Sequence, residues 1–169
     1  MDIKEAILSR RSIRKFTDEI IEEDKIQILL EAACAAPSAC NRKPYEIYVI
    51  TEEQTLTKLN KCGRFTNMPS KLKIVVCGNL DKALRREFAD YWIQDASAVT
   101  ENILLMANGI GLGACWCGIY LQERVMNNVK EILCLEDNII PFSLINIGYP
   151  LEDKEAYQGY DEKIIHFIK

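Results

Sequence analysis

The sequence has one histidine, His166, in the apolar C-terminal run Ile164-Ile165-His166-Phe167-Ile168. That scarcity leaves Ser-His-Asp and Cys-His mechanisms poorly supported, because the one imidazole sits where packed or half-exposed side chains are found. No stretch approaches 18 uninterrupted apolar residues, so nothing is expected to span a membrane. The opening MDIKEAILSRRS lacks the apolar centre of a signal peptide. P-loop, HExxH and kinase signatures are absent. Neither sign of charge dominates: 21 Lys and Arg against 25 Asp and Glu give a net −4, which argues against a nucleic-acid surface. Cysteine is plentiful, but seven is an odd number without framework spacing, so reduced thiols and a cytoplasmic location are expected. Cys115-x-Cys117 has no second Cys or His pair at ligand spacing, and no metal site is expected. Repeats, low-complexity tracts and linkers are missing too. With 49% hydrophobic residues, the 169 residues are expected to form one domain, 1–169, with a substantial core. If the protein is an enzyme, its reactive chemistry belongs to a bound cofactor.

What is present centres on Asp90–Tyr120. Ala96, Val99, Ile103, Ala107 and Ile110 recur every three or four residues, which predicts a largely buried helix. Gln94, Ser97, Glu101 and Asn108 share another face. Gly109, Gly111 and Gly113 are expected to stop the helix, and the short apolar run Ala114–Cys117 reads as an interior strand broken by Gly118. The dinucleotide fingerprint needs strand, then glycines, then helix. Here the glycines follow a helix with G-x-G-x-G spacing, which argues against a Rossmann site.

The remaining elements alternate. Asp2–Arg10 reads as a short helix running into Arg10-Arg11-Ser12-Ile13-Arg14. Three guanidinium forks and a hydroxyl suit a phosphate, although a solvated basic turn after a helix has the same composition. Glu22–Ala36 reads as a helix ended by Pro37. The polar loop Pro37-Ser38-Ala39-Cys40-Asn41, closed by Pro44, could offer backbone amides and an Asn side chain to a planar ligand, or be a plain connection. Tyr45–Ile50 and Ile74–Cys77 read as strands, Glu53–Lys61 as a helix, and Lys61–Lys73 as a candidate lid. Val125, Val129, Ile132 and Leu133 mark a further amphipathic helix, and Ser143–Ile147 a strand closed by Gly148-Tyr149-Pro150. The apolar tail needs something to pack on, such as a second subunit. Strands alternating with helices imply a layered α/β or α+β sheet.

Four blocks in this order resemble the FMN-dependent nitroreductase family: Arg10–Arg14, Ala36–Asn41 through Pro44, Asp90–Tyr120, and Asn146-Ile147-Gly148-Tyr149-Pro150. The likeness runs from Arg10 to about His166. It implies an α+β, three-layer fold with a central mixed sheet flanked by helices, and a homodimer with a domain-swapped C-terminal strand. FMN would lie at the subunit interface. Arg10, Arg11 and Ser12 would hold the phosphate and ribityl chain, and Arg14 would sit at the pyrimidine edge, where a cation favours reduced flavin. Pro37, Ser38, Ala39, Cys40 and Asn41 would come from the other subunit, and the amides of Cys117 and Gly118 would meet the ring near N5 and O4. Three departures stand out: Lys43 precedes Pro44 where Gln is usual, Tyr45 replaces a Trp, and Gln158-Gly159 fills the slot of a basic phosphate ligand. Lys154 is a possible substitute.

The resemblance implies an oxidoreductase taking hydride from NADH or NADPH to a nitroaromatic, quinone or activated alkene by a ping-pong route. A non-catalytic FMN-binding or storage module is the alternative. Specialised flavin chemistry, such as reductive dehalogenation, is a further one. No Fe–S cysteine motif is present, so electrons would come from a diffusible donor.

Overall fold

The computed structural model describes residues 1–169. In chain order it contains α1 (Ile3–Ser9), α2 (Glu23–Cys34), β1 (Tyr45–Ile50), α3 (Glu53–Asn60), β2 (Leu72–Asn79), α4 (Tyr91–Gly109), β3 (Gly113–Gly118), α5 (Glu123–Leu133) and β4 (Ile139–Gly148). Short 3-10 turns lie at Ala39–Asn41, Arg86–Phe88 and Glu162–Ile164. The strands form one sheet in the order β1-β2-β4-β3. All three pairings are antiparallel, which corrects the mixed sheet expected from the sequence. The one parallel contact with a named strand is a single bridge between Ser12 and Ala114, at the outer edge of β3.

Alternation along the strands sorts side chains into two cores. Ile74, Val76, Ile145 and Ile147 join Leu29, Ala33, Trp92, Ala96, Val99 and Ile103 from α2 and α4. On the other face Val75, Cys77, Leu144, Cys115 and Cys117 join Leu56, Leu59, Val125 and Val129 from α3 and α5. Helices therefore cover both faces, the three layers expected. Every residue of β2 is buried, so its middle, Ile74–Cys77, runs apolar rather than alternating, while Lys73 and Asn79 are buried polar residues near its ends. Each large aliphatic side chain enclosed this way is worth roughly 1.5–3 kcal/mol.

The long helix α4 ends as its glycines suggested, with the roles divided. Gly111 takes the left-handed conformation (φ +81°). The Leu112 amide donates to the Ala107 carbonyl at 2.8 Å and the Gly111 amide to Asn108 at 3.2 Å. That pair of bonds is a Schellman stop, for which glycine is the favoured residue. Gly113 has another reason: a Cβ there would come within 2.8 Å of Ile13. The stretch Lys61–Lys73 is not a loose flap. Leu72 and Lys73 belong to β2, and Cys62, Thr66, Met68 and Ser70 are buried. The apolar tail is left uncovered, with Ile164, Phe167 and Ile168 all exposed. No helix is long and apolar enough to cross a membrane.

Candidate functional site

The arginine segment is placed by α4 and by β3. Asn108 on α4 donates to the Ala6 carbonyl (2.9 Å) and to Ser9 Oγ (2.8 Å), fixing the end of α1. Arg10 then pairs with Glu101 on the same helix at 3.6 Å. Beyond it the chain runs along the edge of β3, where the Ile13 amide donates to the Ala114 carbonyl at 3.0 Å. It continues beside the segment after β4, with Thr17 donating to Tyr149 and Leu151 to Lys15, each at 2.9 Å. Ser12, Arg14 and β3 are thus brought together by backbone pairing.

Arg11 and Lys154 give this corner its charge. Arg11 donates through Nε to the Glu155 carbonyl at 2.8 Å and lies 5.6 Å from the centre of the Tyr157 ring. Its Nη2 is buried with no hydrogen-bond partner. A buried cationic donor left unmatched is costly, and an anion is its natural complement. Lys154 reaches Ser12, donating to its carbonyl at 2.5 Å, while pairing with Glu152 at 3.2 Å. Glu152 in turn accepts from the Arg14 amide at 2.6 Å, and this bond chiefly holds its carboxyl below the ordinary range.

β3 lies directly beside these cations. Trp116, Gly118, Tyr120 and Phe142 line an open recess of about 380 Å³. A Cβ on Gly118 would meet nothing within 4 Å, so the backbone there faces open space. On the opposite face of β3, Cys115 and Cys117 are buried. The Cys117 thiol donates to the Phe65 carbonyl at 3.1 Å and accepts from Asn146 Nδ2 at 3.3 Å. The two neighbouring thiols act on each other: Cys117 chiefly lowers Cys115, with Arg14 and Lys154 adding to the effect, and Cys115 together with burial raises Cys117. Behind them Lys73, fully buried, donates to the Met68 carbonyl at 3.0 Å and to Asn146 Oδ1. Burial lowers its amine to about 8. A further recess of about 330 Å³, lined in part by Thr17, Leu56 and Lys71, lies away from this corner.

The loop Pro37–Asn41 is separate. No hydrogen bond joins it to the arginine segment. It rests on the first turns of α4, where the Ala39 amide donates to Asp95 Oδ1 at 2.8 Å. α1 is fixed by Asn108, about 20 Å further along the helix at 1.5 Å per residue. Cys40 and Asn41 are exposed and left-handed. The sequence reading therefore identified two patches, and one chain does not unite them. It missed Asp95 and Lys73, and gave Asn146 no role beyond opening the block Asn146–Pro150. The available signals were an acid inside an apolar helical repeat and a lysine inside the strand LKIVVC. His166 is exposed.

The model of the nitroreductase family matches residues 7–63 and 71–149. Over 157 residues the chain is 39% identical to an Archaeoglobus fulgidus protein provisionally named NADH dehydrogenase/NAD(P)H nitroreductase, covering 92% of this chain and 89% of the relative. It superposes with a TM-score of 0.88 on an FMN-dependent nitroreductase from Clostridium difficile, at 31% identity and covering 97% and 98% of the two chains. A Desulfovibrio desulfuricans protein, provisionally a nitroreductase and solved in complex with FMN, superposes at 0.82 with 26% identity, over 100% of this chain and 98% of that one. With its three-layer sheet and the cationic corner at β3, the chain belongs to the nitroreductase family.

Proposed function

We propose that the protein is an FMN-dependent NAD(P)H oxidoreductase acting as a homodimer on a nitroaromatic, quinone or similar acceptor. The observation that carries this reading is the buried, unmatched Nη2 of Arg11 in a corner shared by Ser12, Arg14 and Lys154. A phosphate monoester supplies the acceptor that this donor lacks. In this reading Arg10, Arg11, Ser12 and Lys154 hold the phosphate and its chain, and Lys154 takes the place left by Gln158-Gly159. The amides of Cys117 and Gly118 face the ring. The open space at Gly118 suits it, because a planar ligand can approach the backbone where no side chain intervenes.

When bound, FMN would supply hydride-transfer chemistry between NAD(P)H and the acceptor. The protein binds and orients, and it tunes through charge. Pro37–Asn41 stands apart from the arginine segment along α4, and it covers the ring of the neighbouring subunit's site. The exposed Ile164, Phe167 and Ile168 cross to the partner, where they find the apolar contact they lack here.

Anaerobic NADH or NADPH bleaches the flavin absorbance of the purified protein if this reading is right. A flavin spectrum that persists with both donors moves the protein to an FMN-storage role. A colourless protein that takes up no added FMN removes the cofactor altogether. A second expectation concerns Arg14. Replacing it with alanine removes a positive charge beside the pyrimidine edge and makes the flavin harder to reduce, by about 1–3 kcal/mol or roughly 20–60 mV for two electrons. An unchanged midpoint potential would show that Arg14 does not face the ring.

A further inference from the structure

Asp95 is a carboxylate on α4 that is only 5% exposed, set among Trp92, Ala96 and Val99. Its Oδ1 accepts from the Ala39 amide at 2.8 Å, and its Oδ2 is buried without a partner. Burying a carboxylate is costly, and this one makes no bond within its own helix. The nearby Tyr45 hydroxyl is likewise buried and unpartnered, and burial raises it, with Cys34 and Asp95 adding to the shift.

The segment Asp95 holds is itself unusual. Cys40 (φ 50°), Asn41 (φ 53°) and Lys43 (φ 47°) are all left-handed without being glycine. Such conformations persist only where surrounding contacts over-determine them, and they cluster at ligand clamps. Most of the loop's other bonds are internal: Asn41 N to Ser38 O at 3.0 Å, Arg42 N to Ala39 O at 3.1 Å, and Lys43 N to Ser38 Oγ at 3.0 Å. Arg42 Nε also reaches the Lys82 carbonyl at 3.1 Å, on a neighbouring exposed loop. The Asp95 bond is the hydrogen bond that ties the loop to the buried helix. Meanwhile Pro37, Cys40, Asn41, Arg42 and Lys43 are exposed, so a strained conformation is displayed to the outside.

We propose that Asp95 is a positioning residue for the cofactor: it fixes the shape of Pro37–Asn41 through Ala39 and so sets FMN affinity without touching FMN. This rests on the FMN reading above. The test is the FMN dissociation constant of the apoprotein, from flavin fluorescence, for wild type, D95A and D95N, with the apo melting temperature beside it. D95A weakens FMN about tenfold or more, since a charge-assisted bond is lost. D95N keeps an oxygen facing Ala39 and stays within about threefold of wild type, whatever either change does to the melting temperature. If D95A does not fold, A39P removes the same bond from the loop side, at a position opening a 3-10 turn where proline is tolerated, and weakens FMN equally. Unchanged affinity in D95A, or in A39P where it is needed, overturns the proposal. Equal losses in D95N and D95A also overturn it. Wild type that binds no FMN fails the cofactor reading itself, a separate result.

Discussion

Replacing Gly78 with alanine destabilises the protein by about 3 kcal/mol, at the upper end for overpacking a close-packed core. In a chain of this length that lowers the melting temperature by roughly 6–12 °C. Gly78 lies near the end of β2, opposite Tyr45 on one side and Ile140 on the other. The face of the Trp92 indole covers it, and a Cβ would come within 2.3 Å of Trp92 Cε3 and 2.6 Å of Cζ3. The backbone there is central sheet and Trp92 is only 3% exposed, so neither side yields cheaply. Trp92 also packs edge-on against Tyr120 (4.8 Å between ring centres) and Phe142 (6.1 Å). Phe142 and Tyr120 line the recess beside Gly118, so the strain passes to the proposed cofactor face. The double variant G78A/W92L separates this from a general intolerance of β2. Removing the ring relieves the clash, so the pair is more stable than the two single losses added together. Strict additivity in denaturant melts would show that the indole is not what excludes the side chain.

Neither Gly78 nor its partner was legible as a pair. The strand Ile74–Cys77 was readable because β2 is buried on both faces and its sequence is continuously apolar. Its ends were not, because Lys73 and Asn79 are polar residues buried by long-range contacts that no local pattern carries. β1 was readable at both ends because proline precedes it and a polar turn follows. The helix α4 could be placed from its repeat and its stop from its glycines, since both depend on residues close in sequence. Sheet order depends on contacts far apart in sequence. Each parallel or antiparallel choice is made by pairing energy across the sheet, so the expected mixed sheet and the observed antiparallel one have the same strand patterns.

The site divides along the same line. Arg10 to Arg14 and Pro37 to Asn41 stood out by composition, with donors concentrated in short segments. What supports them did not. Asp95, Asn108 and Glu101 are polar residues on a helix, and composition does not distinguish a solvated face from one that holds a loop or an arginine. Lys154 stands out in the sequence only because Gln158-Gly159 leaves a gap, and nothing local foretells that its amine donates to the Ser12 carbonyl.

Lys73 makes the second large effect, and its sign is worked out from burial. The amine is fully buried and titrates at about 8 in the folded chain, against 10.5 when unfolded. Between those values the unfolded chain binds a proton that the folded chain does not, so unfolding becomes harder as pH rises. The full window of about 2.5 units corresponds to about 3 kcal/mol. Below pH 8 the cost of a buried ammonium is fully present. Thiols act in the opposite direction: burial holds Cys77 up to about 12, so its unfolded form ionises first and alkali destabilises. The comparison is therefore with K73M, which shares the thiols and lacks the amine. From pH 8 to 10.5 the stability of wild type rises relative to K73M by about 3 kcal/mol; parallel profiles would show that the buried amine keeps its proton as the unfolded one does, with no lowering by burial. At pH 7 the two are close, because K73M strips the donor from the Met68 carbonyl and from Asn146 Oδ1, costing about 1–3 kcal/mol. Those lost bonds explain what an expensive lysine does here. Its donation to Oδ1 orients the Asn146 amide so that Nδ2 faces Cys117, and with the Phe65 carbonyl this clamps β3 from behind at the residue proposed to meet the flavin.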